Sequence, residues 1–317
     1  MRPSLAVVIV SYRTPELLRR CLASLGASLA ASPEIAASVW VVDNASGDGS
    51  AEMVAAEFPQ VRLLALPENV GFVRANNLAL RQLGFAEAGA TSPDFVFLLN
   101  PDTELPGHAP AQLLGWLQTA PEAGLVGPKL LNPDGSLQHG AFVFPSLWQI
   151  LLDFFPLHGR LLESRLNGRY PRRWYAADDP FAADFVLGAA MMARGEAVRR
   201  VGLLDERFFM YCEEIDWCRR FWEAGWSVHC LPQAEVLHHG GASTGQFRDT
   251  MFVTLWRSRF LLFQKWASPA FLWAARRLVR LGLWAAERRA RAAARRGALS
   301  AQELAERLHA YRQVARL

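Results

Sequence analysis

Short apolar runs alternate with longer amphipathic segments along the first hundred residues of this 317-residue chain. The short runs are rich in β-branched and aromatic residues, which favour strands, whereas the longer segments carry the apolar periodicity of helices. The predicted elements are, in chain order, strand 5–10, helix 15–29, strand 39–42, helix 50–58, strand 61–65, helix 73–83 and strand 95–99. This alternation indicates right-handed βαβ units around a mostly parallel sheet, with helices on both faces. The predicted fold class is therefore α/β.

Polar residues follow each of these predicted strands. In chain order they are Ser11 and Tyr12, then Asp43, then Asn69, then Asn100 and Asp102. Because the carboxyl ends of parallel strands meet at one edge of a sheet, we expect these residues to border a crevice the size of a nucleotide. Asp43 is suited to accept a hydrogen bond from the imide of a base, or alternatively to cap the turn that follows it.

The pattern becomes less regular after Gly124. We expect a tight turn at 132–135 and an irregular segment with short helices at 145–180. The later predicted elements are strand 185–193, helix 196–201, helix 213–224 and strand 228–231. The expected organisation is a main domain at 1–245, with a nucleotide-binding half at 1–104 and a second half at 124–245, followed by a helical tail at 246–317.

Charge is distributed unevenly between these two parts. Residues 1–245 carry 19 Lys and Arg against 26 Asp and Glu, whereas residues 246–317 carry 15 against 4. In the tail, arginines alternate with Trp and Leu, which is typical of an amphipathic helix lying on an anionic membrane surface. The same pattern also suits an ordinary helix that packs on the main domain with its arginines in water. No nucleic-acid partner is expected, because no motif of that kind is present.

The cysteines and the hydropathy of the chain argue against a zinc protein, a membrane-spanning protein and a protein with a signal peptide. The four cysteines form no CxxC pair, so we expect buried reduced thiols and no zinc site. No run of 18 apolar residues is present, so no membrane-spanning helix is expected. The first apolar run is too short for a signal-peptide core. The expected location is cytoplasmic, peripheral at the inner face of the cell membrane if the tail binds lipid.

Three carboxylates, those of Glu213, Glu214 and Asp216, lie within four positions of a segment rich in aromatic residues and cysteine. Burial in apolar surroundings raises the pKa of a carboxyl group and helps it to accept a proton, as a general base must. The alternative is a helix start, where acids are favoured by the helix dipole and Asp216 pairs with Arg220. The second acidic turn upstream, at Asp102, favours the catalytic interpretation.

Asp102 follows an apolar strand in the sequence Asn100-Pro101-Asp102. Divalent cations such as Mg²⁺ or Mn²⁺ prefer oxygen ligands and leave positions open for phosphate oxygens, so a metal site built from Asp102 and a diphosphate is expected. A turn capped by Asp102 is the alternative. His238 and His239, which precede two glycines, are further candidate ligands.

Five motifs, taken in order, carry a resemblance to a known family. They are Ile9-Val10-Ser11-Tyr12, Val41-Val42-Asp43-Asn44-Ala45-Ser46, Asn69-Val70-Gly71-Phe72 with Asn77, Leu99-Asn100-Pro101-Asp102, and the run from Gly202 to Asp216. Over residues 5–245 the chain resembles glycosyltransferase family 2, and within it the rhamnosyltransferase-like branch. The resemblance implies a GT-A fold, a nucleoside-diphosphate sugar donor, Mg²⁺ or Mn²⁺, and inversion at the anomeric carbon.

The resemblance also implies roles for individual residues. The implied donor-site residues are Ser11, Tyr12, Asp43, Asn69, Asn77 and Asn100, with Asp43 on the uracil or thymine ring. Asp102 and His238 would hold the metal, and Gly188 and Ala189 would lie beneath the acceptor. Glu214 matches the family's catalytic Asp. Because Glu is one methylene longer, Glu213 and Asp216 remain candidates for the base.

The implied reaction transfers a sugar such as rhamnose from a dTDP- or UDP-linked donor to a hydroxyl of a glycan or lipid-linked acceptor, in cell-surface polysaccharide synthesis. Two alternatives remain. A nucleotidyltransferase would need a Gly-rich loop with Lys or Arg near the N-terminus, and the first turn here has none. A non-catalytic scaffold at the membrane surface would have no need of carboxylates at both Asp102 and 213–216.

Overall fold

The structure is a computed structural model that describes residues 2–87, 91–155, 157–240 and 248–317. The chain divides into two compact units. The first comprises Met1–Phe142, Arg172–Phe209 and Glu213–Ser243, and the second comprises Val143–Pro171, Met210–Cys212 and Thr244–Leu317. The expected organisation placed 145–180 in the main domain, whereas most of that segment belongs to the second unit, together with the tail.

Twelve strands are present in the described residues. They are β1 Ser4–Ser11, β2 Ala36–Asp43, β3 Arg62–Ala65, β4 Phe95–Leu99, β5 Thr103–Glu104, β6 Ala123–Leu131, β7 Leu137–Gln138, β8 Ala141–Phe142, β9 Phe181–Ala182, β10 Phe185–Val186, β11 Ala190–Arg194 and β12 Ser227–His238.

Twelve α-helices accompany them in the same described ranges. They are α1 Pro15–Ala30, α2 Ser50–Glu57, α3 Phe72–Gln82, α4 Ala109–Thr119, α5 Leu147–Phe154, α6 Gly159–Leu162, α7 Arg172–Ala176, α8 Gly195–Val201, α9 Glu213–Glu223, α10 Arg248–Trp266, α11 Pro269–Arg295 and α12 Ala301–Ala315. A 3₁₀ turn at Arg165–Asn167 completes the set.

The central sheet of the first unit has the strand order β3-β2-β1-β4-β11-β6-β12-β5. β3, β2, β1 and β4 run parallel, as the alternating pattern predicts, and β6 is parallel to β12. β11 lies antiparallel between β4 and β6. The α/β fold class with a mostly parallel central sheet is therefore confirmed.

The core of this unit explains why the central strands are nearly continuous apolar runs. All five residues of β4 are buried, as are all but the first residue of β1. Strands that are covered on both faces need apolar side chains at every position, and not at alternate positions. The helices of the first hundred residues contribute one apolar face each, for example Leu18, Cys21 and Leu25 of α1.

Two predicted strands differ from the structure, each for a local reason. The predicted strand 185–193 is split into β10 and β11, because β10 pairs with β8 in a separate two-stranded sheet. The predicted strand 228–231 continues as β12 to His238, past an irregularity between Leu231 and Glu235 that contains Pro232. A break in strand pairing of this kind accommodates a proline, which has no N–H to donate to the ladder.

The second unit has its own apolar core, formed by α5 and the helices of the tail. Ile150 and Phe154 of α5 are buried in one cluster with Trp256 of α10 and Val279 of α11. Gly282 of α11 leaves no room for a Cβ beside the ring of Phe154. These contacts are the physical reason that 143–171 groups with the tail. Among the described residues, no helix is both long enough and apolar enough to cross a membrane.

Candidate active site

The first part of the site lies where β1 and β2 end side by side, with Ser11 opposite Asp43 in the register. Asp43 Oδ2 accepts a hydrogen bond from the N–H of Ser46 at 3.1 Å. Asp43 Oδ1 is buried and has no hydrogen-bond partner among the described residues. A buried acceptor without a donor is costly, so this carboxylate oxygen fits the N–H of a ligand such as a base imide.

The turn after β1 is shaped by strained backbone. Arg13 has a φ of 55° and Ala45, in the neighbouring turn, has a φ of 63°. The N–H of Arg13 donates to Ser46 Oγ at 3.0 Å, which joins the two turns. The Arg13 guanidinium lies over the ring of Tyr12, 5.2 Å from its centroid. Left-handed conformations at non-glycine residues concentrate at functional sites, and here they flank Asp43.

Asn69 and Asn77 use their amides to hold neighbouring backbone. Asn69 Oδ1 accepts from Asn44 Nδ2 and from the N–H of Gly71, each at 3.0 Å. Asn77 Nδ2 donates to the carbonyl of Leu204 at 2.8 Å, and its Oδ1 accepts from the Leu204 N–H at 3.1 Å. Both asparagines therefore fix the loops that border the sheet edge, and their implied contact with the donor stays a prediction.

Gly71 is required by the approach of another part of the chain. Its φ is 87°, and a Cβ at this position would lie 2.6 Å from the ring of Phe209. The N–H of Phe72 donates to the carbonyl of Phe209 at 2.9 Å. Together with Asn77, this contact fastens the segment before α9 to the start of α3.

Asp102 and His238 are brought together by the pairing of β5 with β12, in which His238 lies opposite Thr103. His238 Nε2 is 3.4 Å from Asp102 Oδ1. His239 points elsewhere, because its Nε2 is 2.7 Å from Glu104 Oε1. Of the two histidines, His238 is thus the one that faces Asp102.

These residues fit a divalent cation of the expected kind. Adjacent ligand atoms of an octahedral ion with bonds of about 2.0–2.1 Å lie about 3 Å apart, so the observed 3.4 Å between His238 Nε2 and Asp102 Oδ1 would need to shorten by only a few tenths of an ångström. The buried Asn100 Oδ1 also lacks a hydrogen-bond partner among the described residues. The described residues contain no group of three or more His, Cys, Asp or Glu side chains that could hold a metal. Mg²⁺ and Mn²⁺ sites with few protein ligands commonly complete their coordination with substrate oxygens and water.

Glu213 and Glu214 begin α9 and are both buried. The two residues before them, Tyr211 and Cys212, have φ values of 69° and 66°, so two consecutive left-handed residues turn the chain into the helix. Burial, and after it the charge of Glu214, raises the pKa of Glu213 well above its usual value. When two carboxylates are this close, one favours the protonated form and leaves the charge to the other.

Asp216 has a different environment from the other two acids. It is fully buried, and its Oδ2 accepts from Arg220 Nε at 2.9 Å. Arg220 also donates to the carbonyls of Val201 and Leu203, at 2.9 and 2.8 Å. The pair therefore supports the loop between α8 and α9, as expected for a buried ion pair whose other hydrogen bonds are satisfied.

Gly188 and Ala189 connect the acidic helix with the proposed metal site. The N–H of Asn100 donates to the carbonyl of Ala189 at 2.8 Å. A Cβ at Gly188 would lie 3.6 Å from Cβ of Glu214. The segment predicted to lie beneath the acceptor thus has Glu214 near Gly188 and is hydrogen-bonded to Asn100 through Ala189.

Several residues that shape this site carry no clear signal in the sequence. The spacing of Arg220 indicates only a helix-face pair with Asp216, and nothing in the sequence singles out Gln138, which bonds to His238. β5 was also missed, because two residues are too few to show a period. Helix α4 is also absent from the predicted elements, although the sequence does indicate a helix there. Pro110 lies in its first turn, and apolar residues follow at helical spacing.

Comparison with known proteins places this architecture in a family. The family model described as "Glycosyl transferase family 2" matches residues 6–139. The N-acetylglucosaminyl-diphospho-decaprenol L-rhamnosyltransferase of Mycobacterium tuberculosis is 36% identical over 255 residues, which cover 78% of this chain and 79% of that protein. The chain therefore belongs to glycosyltransferase family 2.

Two further comparisons agree with this assignment. The dTDP-rhamnosyl transferase RfbF of Shigella flexneri is 23% identical over 75% of this chain and 70% of its own length. The solved mannosyltransferase PcManGT of Pyrobaculum calidifontis, in complex with GDP-Man and Mn²⁺, superposes with a TM-score of 0.56 at 18% identity, covering 99% of this chain and 86% of that one. The fold is GT-A, and the chain is a rhamnosyltransferase-like glycosyltransferase.

The role of Asp216 can be tested by stability. Asp216→Asn leaves the partly buried Arg220 without its counter-charge, and we expect a loss of about 2–4 kcal/mol in the free energy of unfolding, less than for a fully buried pair. Denaturant titration measures this loss. Glu223→Gln on the exposed end of the same helix is the control and should change stability by less than about 1 kcal/mol. A stable Asp216→Asn variant that has lost sugar transfer would instead assign Asp216 to the chemistry.

The raised pKa of Glu213 predicts a pH-dependent penalty on folding. Above the ordinary value of 4.5, the unfolded chain releases this proton while the folded protein retains it, so the wild type loses stability as pH rises. Glu213→Gln removes this pH-dependent loss of stability, because glutamine does not titrate. The melting temperature of the variant relative to wild type should therefore increase from pH 5 to pH 8. A difference that stays constant over this range would show that Glu213 titrates normally in the folded protein.

Proposed function

We propose that this protein is an inverting, metal-dependent glycosyltransferase that moves a sugar from a nucleoside-diphosphate donor to an acceptor hydroxyl. The observation that carries the proposal is the position of Gly188 and Ala189 between the Asn100–Asp102 turn and Glu214. The N–H of Asn100 donates to the carbonyl of Ala189, and a Cβ at Gly188 would lie 3.6 Å from Cβ of Glu214. The turn that carries Asp102 and the buried Glu214 thus lie near one short segment of backbone, which supports a site in which both act on one sugar.

The donor is proposed to be a uracil or thymine nucleotide, linked to a sugar such as rhamnose. Asp43 Oδ1 would supply an acceptor for the base imide, with Ser11 opposite it in the register of β1 and β2 and Tyr12 next in the chain. The relative from Shigella flexneri is named for a dTDP-rhamnosyl substrate, which favours dTDP over UDP.

Glu214 is proposed to act as the general base. It is buried at the start of α9, where its Cβ would lie 3.6 Å from a Cβ at Gly188 of the proposed acceptor segment. Burial, and after it the charge of Glu214, raises the pKa of Glu213, so Glu213 favours its protonated form beside the proposed base. Glu214 then takes the proton of the acceptor hydroxyl as the oxygen attacks the anomeric carbon on the face opposite to the diphosphate.

Asp102 and His238 are proposed to hold the cation, and Asn100 to orient the donor beside it. Mg²⁺ or Mn²⁺ bound there would offset the negative charge that develops on the departing diphosphate. A single displacement of this kind inverts the anomeric configuration and needs no covalent intermediate on the protein.

The acceptor is proposed to be a lipid-linked glycan used in cell-surface polysaccharide synthesis. The relative from Mycobacterium tuberculosis is named for an N-acetylglucosaminyl-diphospho-decaprenol acceptor. Such an acceptor carries its reacting sugar on a diphosphate at the membrane surface, so the protein must work at that surface. We propose the inner face of the cell membrane as its location.

The outer face of α11 supports contact with an anionic membrane surface. Trp273, Leu281 and Trp284 are each more than half exposed and recur at helical spacing, whereas Ala275, Val279 and Leu283 are buried on the other side. Arg277 and Arg288 stack over the two tryptophans, 5.4 and 4.8 Å from the ring centroids. Exposed tryptophans with adjoining arginines are typical of helices in the headgroup region of anionic bilayers.

The base assignment predicts the behaviour of Glu214→Gln. This substitution removes the proton acceptor but keeps the side-chain volume, so kcat should fall by about 10²–10⁴ while the affinity for the donor nucleotide is retained. Transfer assays and nucleotide titration measure the two quantities. Glu223→Gln, on the exposed end of α9, should leave both unchanged. Near-normal turnover of Glu214→Gln would exclude it as the base.

The membrane surface is tested with point variants of α11, because truncation of the tail would also remove the core partners of Ile150 and Phe154. Replacing Trp273, Leu281 and Trp284 by Ser should abolish co-sedimentation with phosphatidylglycerol vesicles and leave the melting temperature unchanged, since these side chains are exposed. Replacing Arg277 and Arg288 by Gln should remove the preference for anionic over phosphatidylcholine vesicles. Undiminished sedimentation of the triple variant would reject this face as the contact.

A further inference from the structure

The two ring nitrogens of His238 have different partners. Nδ1 lies 2.6 Å from Gln138 Oε1, and Nε2 lies 3.4 Å from Asp102 Oδ1. The position of the ring proton decides what His238 can do. With the proton on Nδ1, the lone pair of Nε2 faces the cation site. With the proton on Nε2, that nitrogen would donate to Asp102 and could not bind a metal.

A directional series of hydrogen bonds settles the orientation of the Gln138 amide. It starts at Asp134, whose carboxylate can only accept and whose pKa is lowered by hydrogen bonds from Ser136. The Ser136 hydroxyl donates its one proton to Asp134 Oδ1 at 2.6 Å. Ser136 Oγ must therefore accept from Asn132 Nδ2, at 2.9 Å. That contact leaves Asn132 Oδ1 as an acceptor, which receives Gln138 Nε2 at 3.0 Å.

The end of this series fixes the tautomer of the histidine. Because the NH₂ group of Gln138 is directed to Asn132, the oxygen of its amide is the atom that faces His238. An amide oxygen only accepts, so the proton must lie on His238 Nδ1. Reversing either amide would place two acceptors or two donors against each other at one of these contacts, at the cost of a hydrogen bond.

We propose that Gln138 is a positioning residue for the metal site. Through the turn at 132–136, it keeps the proton of His238 on Nδ1, so that Nε2 and Asp102 present two lone pairs to one divalent cation. This inference rests on the cation of the proposed function. Gln138 does not bind the cation itself under this proposal. The turn at 132–136, which takes no part in the reaction, thereby gains a role in metal binding. Such outer contacts set both the tautomer and the ring orientation of ligating histidines.

The test compares two substitutions of Gln138 in the full-length protein. Gln138→Met keeps the length of the side chain but cannot accept the proton of Nδ1, whereas Gln138→Glu can. Gln112→Met, at an exposed position of α4, is the control for the substitution itself. Two readouts are used: the tautomer of His238 in the metal-free protein, from long-range ¹H–¹⁵N spectra with ¹⁵N-histidine, and the affinity for Mn²⁺ in the presence of UDP, from electron paramagnetic resonance.

We expect wild type, Gln138→Glu and Gln112→Met to show the Nδ1–H tautomer of His238, and Gln138→Met to lose it. Mn²⁺ affinity should fall about 10–100-fold in Gln138→Met and persist in Gln138→Glu. The Nε2–H tautomer in wild type, or unchanged Mn²⁺ affinity in Gln138→Met, would overturn the inference. If sugar transfer by wild type persists in either case, only the role of Gln138 fails. If wild type neither binds Mn²⁺ nor transfers sugar, the proposed function fails with it.

Discussion

The hydrogen bond from the N–H of Asn100 to the carbonyl of Ala189, 2.8 Å long, is the contact on which the proposed site depends. It continues the antiparallel pairing of β11 with β4, in which Ala190 lies opposite Leu99. Because β11 runs antiparallel, its first residues meet the last residues of β4. A parallel strand in the same place would have carried Gly188 and Ala189 to the opposite edge of the sheet, away from Asp102.

Backbone strain is concentrated around the same edge. The non-glycine residues with left-handed φ in the described chain are Arg13, Ala45, Tyr211 and Cys212. The first two flank Asp43, and the last two precede Glu213. Each such residue costs on the order of 1–3 kcal/mol, and strain of that size persists only where surrounding contacts enforce it. Among those contacts, the amides of Asn69 and Asn77 fix the neighbouring loops.

Buried acceptors at the site make the isolated fold less stable than its ligand-bound form. Asp43 Oδ1, Asn100 Oδ1 and Glu213 Oε2 are buried without a hydrogen-bond partner among the described residues. Each such group costs about 1–3 kcal/mol, which a donor proton or a bound cation would recover. These acceptors suit a ligand with complementary charge and hydrogen-bond donors, such as the nucleotide and divalent cation proposed above.

The sequence by itself determined the α/β class, most helix bounds of the first hundred residues, the motifs of family 2 and the acids of 213–216, because periodicity and ordered motifs are local signals. It did not separate the roles of those acids, choose between His238 and His239, or reveal Gln138. These distinctions depend on contacts between residues far apart in the chain, such as Arg220 with Val201 or His238 with Gln138. Only the tertiary structure supplies those contacts, because burial and hydrogen-bond partners are set by how strands and helices meet in space.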